Sequence, residues 1–294
     1  MDAHQEFRDV ILRALSEPRG FLRSHTLPRS SPVFLFATGL SGGCEHVAPA
    51  GLAVELLLAA TDLLDPIQDA EGDGTIPQAQ ALNEATALLL LNPICLGGLC
   101  KKNEPARAAR ASTVLELAAF RSCQGQSLDL AFESRQAVTE HEYLQMIEWK
   151  AGAPLSAICS AGALLSTDDG ERIEAAASYG RWLGMARQMK NDAAAIISGE
   201  NKSDIRRKKK TLPAIYALEK AQGTDGRFLH GVYAAATAPS RAEEARIRKV
   251  ILSSGGVHYA LVTAGIYCQR AAEQVEKTGL PADIADRLKA MASL

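Results

Sequence analysis

Aromatic residues are scarce in this 294-residue chain: two Trp, six Tyr and seven Phe, 5% of the total. Strands favour aromatic and β-branched side chains, so this scarcity, beside many Ala and Leu, points to helices. A net charge of −2 provides no field that would draw nucleic acid or an anionic membrane to the whole molecule. The six cysteines form no Cys-x-x-Cys pair and no regular framework, which excludes a secreted disulfide scaffold. Reduced thiols in a cytoplasmic protein are expected. None of the six histidines has metal-site spacing. Acidic and basic residues interrupt the apolar N-terminus, so it lacks the core of a signal peptide. The longest apolar stretches, near 52–60 and 85–91, fall short of the roughly 20 residues that span a bilayer, and no transmembrane segment is expected.

What is present is a succession of helical patterns with no strand-turn-strand alternation. Amphipathic periodicity predicts helices over 3–16, 33–40, 49–69 and 77–91, the last broken near Pro93 and Gly97. A long helix follows over 104–134. Thr139 and Glu142 form a capping box opening the helix that carries Lys150. Helices over 152–166 (rich in small residues), 170–198, 211–222, 239–253, 256–276 and a short one from 281 complete the chain. No repeat or low-complexity linker divides it, so one domain over 1–294 is expected.

The helix over 49–69 carries the most informative pattern. Asp62, Asp65 and Asp69 emerge from an apolar run at spacings of three and four, which places them on one helix face. Three like charges in such a setting need a compensating cation. Hard carboxylate oxygens suit Mg2+, and Mg2+ commonly accompanies a phosphate-bearing substrate. Pro66 removes a backbone donor and is expected to kink the helix at its bond to Asp62.

A second polar cluster interrupts the apolar pattern at 184–192, where Gln188 and Asp192 share a helix face beside Lys190 and Asn191. Downstream, Arg206, Arg207, Lys208, Lys209 and Lys210 form a run of five cations that repel one another unless solvated or facing phosphate oxygens. Lys150 ends the run that begins at Tyr143.

In this order the elements resemble the trans-isoprenyl diphosphate synthase (polyprenyl synthetase) family, from about residue 30 to 275. Asp65 and Asp69 match the outer aspartates of its first Asp-rich motif, with Pro66 at an inner one. Gly125, Gln126 and Asp129 match a Gly-Gln-x-x-Asp element, and Lys150 matches a diphosphate-contacting Lys-Thr element. Residues 188–192 resemble the second Asp-rich motif, with Asn191 for its first aspartate and Ala195 for its last. Asp204, Lys209, Thr211, Leu212 and Pro213 match an Asp-Leu-x-x-Gly-Lys-x-Thr-Leu-Pro element.

The resemblance implies an all-α isoprenoid synthase bundle around a central cavity, a prenyl diphosphate substrate, Mg2+ and a homodimer. Asp62, Asp65 and Asp69 from one helix, and Asn191 and Asp192 from a second, would hold metal, with Asp65, Asp69, Asp192 and Lys150 serving catalysis. Lys150, Gln188, Arg206, Arg207, Lys209 and Lys210 would bind phosphate oxygens. Ala60 and Thr61, small residues before the first motif, imply a prenyl tail of fifteen carbons or more. The family element that binds isopentenyl diphosphate, Gly-Lys-Arg-x-Arg-Pro, reads Leu27, Pro28, Arg29, Ser30, Ser31, Pro32 here, and the Arg-Arg-Gly after the first motif is absent. Each missing charge-assisted contact costs roughly 1.5–3 kcal/mol. The expectation is therefore ionisation of an allylic diphosphate, followed by transfer to a peptide or small-molecule acceptor or by cyclisation, as in the ComQ-like and synthase-like terpene cyclase branches. A conventional elongating synthase, or a weak subunit partnering an active one, is the alternative.

Overall fold

The structure, a computed structural model, describes residues 29–69, 76–198 and 204–293. The described residues form twelve α-helices and no strand, as the composition implies. These are α1 (Ser31–Ser41), α2 (Ala48–Gln68), α3 (Gln78–Gly97), α4 (Pro105–Ser134), α5 (Glu140–Ile147) and α6 (Ala153–Leu164). They continue as α7 (Gly170–Ser198), α8 (Leu212–Lys220), α9 (Gly223–Ala234), α10 (Arg241–Ser253), α11 (Gly256–Lys277) and α12 (Ala282–Ser293). The helix expected over 3–16 lies outside the described residues.

Two elements differ from expectation. Helix α3 does not break at Pro93 but runs on to Gly97. Pro93 removes the bond to the Leu89 carbonyl, and both residues are exposed, so water can take the freed group. Helix α9 was not expected, because Gly223, Gly226 and Gly231 weaken its local propensity. Burial of Leu229, Val232 and Tyr233 outweighs that weakness. Helix α2, expected over 49–69, runs through Pro66 to Gln68, and the Asp69 amide donates to the Asp65 carbonyl at 2.8 Å.

By packing, the chain divides into two compact units. The first comprises the described parts of 1–119, 157–177 and 275–291. Here α2 lies along α3 over an apolar seam of Leu56, Ala59, Ala60, Ala85 and Leu88. Asn92 pins the pair by donating to the Ala53 carbonyl at 2.6 Å. The second unit comprises the described parts of 120–156, 178–274 and 292–294. Its core gathers Tyr143, Ile147, Met189, Leu212, Leu229 and Ile251.

The expectation of no transmembrane segment rested on uninterrupted apolar runs, and two helices exceed those runs in length. Glu45–Gln68 and Gln78–Lys101 are long and apolar enough to cross a bilayer by length and composition, and α10 with α11 would pass as a pair bent by 55°. Uninterrupted apolar runs understated these lengths, because the helices continue through polar and proline positions. In the first stretch 50% of the apolar window is buried within the protein, and in the second 28%.

Candidate functional site

In the first unit, α2 presents a stripe of carboxylates. Glu55, Asp62 and Asp69 recur every seven residues, two helical turns apart, with Asp65 one turn from Asp62. Asp65 is exposed and Asp69 half-buried. Both Asp62 oxygens face Arg29, with Nη1 to Oδ1 at 3.1 Å and Nη2 to Oδ2 at 2.9 Å. Glu55 is buried and accepts from the Ser30 amide at 2.7 Å. Ala60, expected near the prenyl tail, is fully buried in the α2–α3 seam. The Thr61 hydroxyl turns back to the Leu58 carbonyl at 2.8 Å.

The second unit places Lys150 on a π-helical turn, Glu148–Gly152, between α5 and α6. The capping box does open α5: the Thr139 amide donates to Glu142 Oε2 at 2.8 Å and the Glu142 amide to Thr139 Oγ1 at 3.2 Å. The π turn lies hard against α4 at Gly125, where a Cβ would come 2.3 Å from the Lys150 nitrogen. Its other side abuts α7 at Gly184, where a Cβ would come 2.3 Å from the Ala151 oxygen. The Ser122 hydroxyl donates to the Lys150 carbonyl at 3.0 Å. With the backbone thus seated, Lys150 Nζ donates to Asp129 Oδ2 at 2.6 Å. Gln126 Oε1, nearby on α4, is buried without a hydrogen-bond partner among the described residues.

Asp192 lies deep in the same unit. Tyr143 Oη donates to Asp192 Oδ2 at 2.7 Å and Gln188 Nε2 to Oδ1 at 2.8 Å. Burial pushes the Asp192 carboxyl up to about 7, aided by the charges of Asp204 and Asp129, while the two hydrogen bonds oppose the rise. Burial and Asp192 together push the Tyr143 phenol well above its usual range. Asn191, next along α7, is exposed.

The basic run divides by partner. Arg206 is exposed. Arg207 pairs with Glu133, its Nε donating to Oε2 at 3.1 Å. Lys210 is buried and donates to the Glu133 carbonyl at 2.7 Å. Burial, then the charge of Lys208, pulls the Lys210 amine down to about 8, with Glu133 partly offsetting. Lys209 is buried with Asp204 at 3.5 Å. Lys208 has φ 54, the single non-glycine positive φ among the described residues, at the position where the resemblance expects glycine. Its Nζ donates to the carbonyls of Ala235 and Thr237 at the end of α9.

The second unit thus holds three groups, Lys150 with Asp129, Asp192 with Tyr143 and Gln188, and Lys209 with Asp204, whose Asp129 and Asp204 charges both bear on Asp192, whereas Arg207 and Lys210 are turned to Glu133. Among the described residues, no three His, Cys, Asp or Glu side chains converge as a metal cage. That is compatible with magnesium, which takes one or two carboxylates and completes its octahedron with phosphate oxygens and water. Sequence reasoning had no site for Tyr143, Glu133, Asp204 or Glu55. Of these, only Tyr143 and Asp204 carried a signal, as polar groups inside segments already singled out.

A polyprenyl synthetase family model matches residues 28–251. The chain is 30% identical over 260 residues to a geranylgeranyl diphosphate synthase of Methanosarcina mazei, covering 84% of this chain and 78% of the relative. It is 30% identical over 271 residues to a (2E,6E)-farnesyl diphosphate synthase of Mycobacterium tuberculosis, covering 86% and 74%. The crystal structure of a geranylgeranyl pyrophosphate synthetase from Pyrococcus horikoshii superposes with a TM-score of 0.80 at 25% identity, over 98% of this chain and 93% of that one. These relatives are named as diphosphate synthases, and they overturn the expectation of transfer or cyclisation without elongation. That expectation counted cations missing from two short segments. Arg29, the cation kept in the first of them, is held on the carboxylate stripe of α2. The chain has the all-α isoprenoid synthase fold and belongs to the polyprenyl synthetase family.

Proposed function

We propose that this protein is a Mg2+-dependent trans-isoprenyl diphosphate synthase that lengthens an allylic prenyl diphosphate with isopentenyl diphosphate, giving products in the farnesyl to geranylgeranyl range. The observation that carries the reading is Lys150, seated on its π turn against Gly125 and held by Asp129 at 2.6 Å. π turns inserted between helices recur at functional sites, and this one fixes a cation where a diphosphate oxygen can replace the carboxylate. The names of the aligned relatives support elongation as the outcome.

In the reaction the allylic carbon–oxygen bond breaks and diphosphate leaves. A carbon–carbon bond to isopentenyl diphosphate forms, and a proton is lost. Lys150 and Lys209 bind the departing phosphate oxygens, exchanging Asp129 and Asp204 for substrate. Gln188 and Tyr143 hold Asp192 in place. Asp65 and Asp69 on α2 are the carboxylates that would hold magnesium. When bound, the metal neutralises the leaving diphosphate as a Lewis acid. Self-association is proposed through the outer face of α3, where Leu82, Leu89, Leu90 and Ile94 are exposed.

Incubating the purified chain with Mg2+ and geranyl or farnesyl diphosphate, with and without isopentenyl diphosphate, tests this reading. Longer diphosphates that form only with isopentenyl diphosphate are expected. Cyclic hydrocarbons, free alcohols alone, or no consumption would overturn it.

A further inference from the structure

The four carboxylates on the α2 stripe do not share one task. Glu55 accepts from the Ser30 amide at 2.7 Å, and Asp62 accepts from Arg29 Nη1 at 3.1 Å with Nη2 2.9 Å from its other oxygen. Two consecutive residues at the entry to α1 are therefore held by two carboxylates two turns apart on α2. Asp62, grouped with the metal ligands by spacing alone, has its oxygens directed at this arginine. A cation bound at Asp62 would have to share the carboxylate with a guanidinium whose Nη1 donates to Oδ1 and whose Nη2 lies 2.9 Å from Oδ2, and the two positive charges would repel each other. The Nη1 hydrogen bond and the Nη2 ion-pair contact hold the guanidinium against α2, and its Nε and Nη2 are buried donors without a hydrogen-bond partner among the described residues. Asp65 and Asp69 lie one and two turns further along the stripe.

We propose that Asp62 is a positioning residue for Arg29 and not a magnesium ligand: it holds the guanidinium on the α2 stripe in the orientation from which its remaining N–H groups meet a substrate diphosphate. This rests on the function proposed above. It assigns the metal on this helix to Asp65 and Asp69 alone. It also gives a role to an acidic residue whose spacing otherwise reads as a third ligand.

Calorimetric titration of the full-length protein with inorganic pyrophosphate at saturating Mg2+, and with Mg2+ at saturating pyrophosphate, tests the assignment without turnover. Asp62→Leu is expected to weaken pyrophosphate binding roughly tenfold, the loss of one oriented charge-assisted contact, with the Mg2+ midpoint moving less than about twofold. Arg29→Gln should cause the same loss, and the double variant should be no worse than either single one. Asp62→Asn, which keeps the shape and one acceptor, should fall between wild type and Asp62→Leu and serves if the leucine variant does not fold. A Mg2+ midpoint shifted tenfold by either Asp62 variant, or losses that multiply in the double variant, would overturn the proposal. Pyrophosphate binding by the wild type that Asp62→Leu leaves intact would do so too. Failure of the wild type to elongate prenyl diphosphates, with the Arg29–Asp62 coupling intact, would sink the functional reading alone.

Discussion

Tyr143 Oη donates to Asp192 Oδ2 at 2.7 Å, and both groups are buried in the core of the second unit. The bond is one of two that hold down the proton affinity of a carboxyl that burial has pushed up to about 7. Because its folded pKa lies above the unfolded value of about 3.9, the folded state binds the proton more tightly. The associated stability is complete below about pH 4 and is lost as pH rises towards 7, with a slope of up to roughly 1.4 kcal/mol per pH unit from this group. Asp192→Asn removes that slope. Urea midpoints measured from pH 4.5 to 8 should show the variant gaining on the wild type up to about pH 7 and running parallel above it. Parallel curves throughout would mean that Asp192 does not titrate there. Tyr143→Phe, by removing one donor, should move the wild-type inflection upward.

Gly125 offers a sharper geometric test. A Cβ there would lie 2.3 Å from the Lys150 nitrogen and 2.7 Å from its Cα, both backbone atoms that cannot swing aside. Gly125→Ala should displace the π turn, costing about 1–3 kcal/mol of stability by overpacking. It should lower kcat/KM by roughly a hundredfold as Lys150 leaves its position. Thermal unfolding and steady-state kinetics read the two effects separately. An alanine variant with wild-type kinetics would show that the close approach is not needed for catalysis.

Lys208 occupies a left-handed conformation at φ 54 and reaches the Ala235 and Thr237 carbonyls at the end of α9. Two effects oppose each other here: backbone strain of roughly 1–2 kcal/mol for a residue with a Cβ, and a favourable cation at a helix C-terminus. Lys208→Ala loses the cation and keeps the strain, whereas Lys208→Gly loses the cation and relieves it. The glycine variant should therefore be more stable than the alanine variant by about 1 kcal/mol in urea unfolding. The reverse order would show that the loop leaves the left-handed region once the lysine is removed.

Much of this architecture was legible in the sequence because it rests on local periodicity. The 3–4 spacing of Asp62, Asp65 and Asp69, the Thr139–Glu142 capping box and the long helices over 104–134 and 170–198 depend on neighbours within one or two turns. Charge pairing does not. Arg29 meets Asp62 across 33 positions and Arg207 meets Glu133 across 74, and neither pairing can be read from spacing along one helix. Burial of Asp192 and the backbone contact at Gly125 are likewise products of packing. Chemistry was misread for a related reason. Cations were counted by segment, whereas a diphosphate is bound by cations that converge in space.

Lys150 and Asp129 separate stability from catalysis. Their side chains are 22% and 14% exposed, so the pair is partly screened. Lys150→Ala leaves the Asp129 carboxylate largely buried without its partner, and a stability loss of about 1–3 kcal/mol is expected, below the range for fully buried pairs. Asp129→Asn in the same chain removes the stranded charge and should restore most of that loss. Activity should not follow, because the amide cannot supply the cation that binds the leaving diphosphate. Unfolding midpoints and kcat/KM for Lys150→Ala, Asp129→Asn and the double variant therefore form one cycle. If the double variant recovers stability while kcat/KM stays at least roughly a hundredfold below wild type, Lys150 acts on substrate. Recovery of activity along with stability would reduce Lys150 to a structural cation and remove the observation on which the proposed function stands.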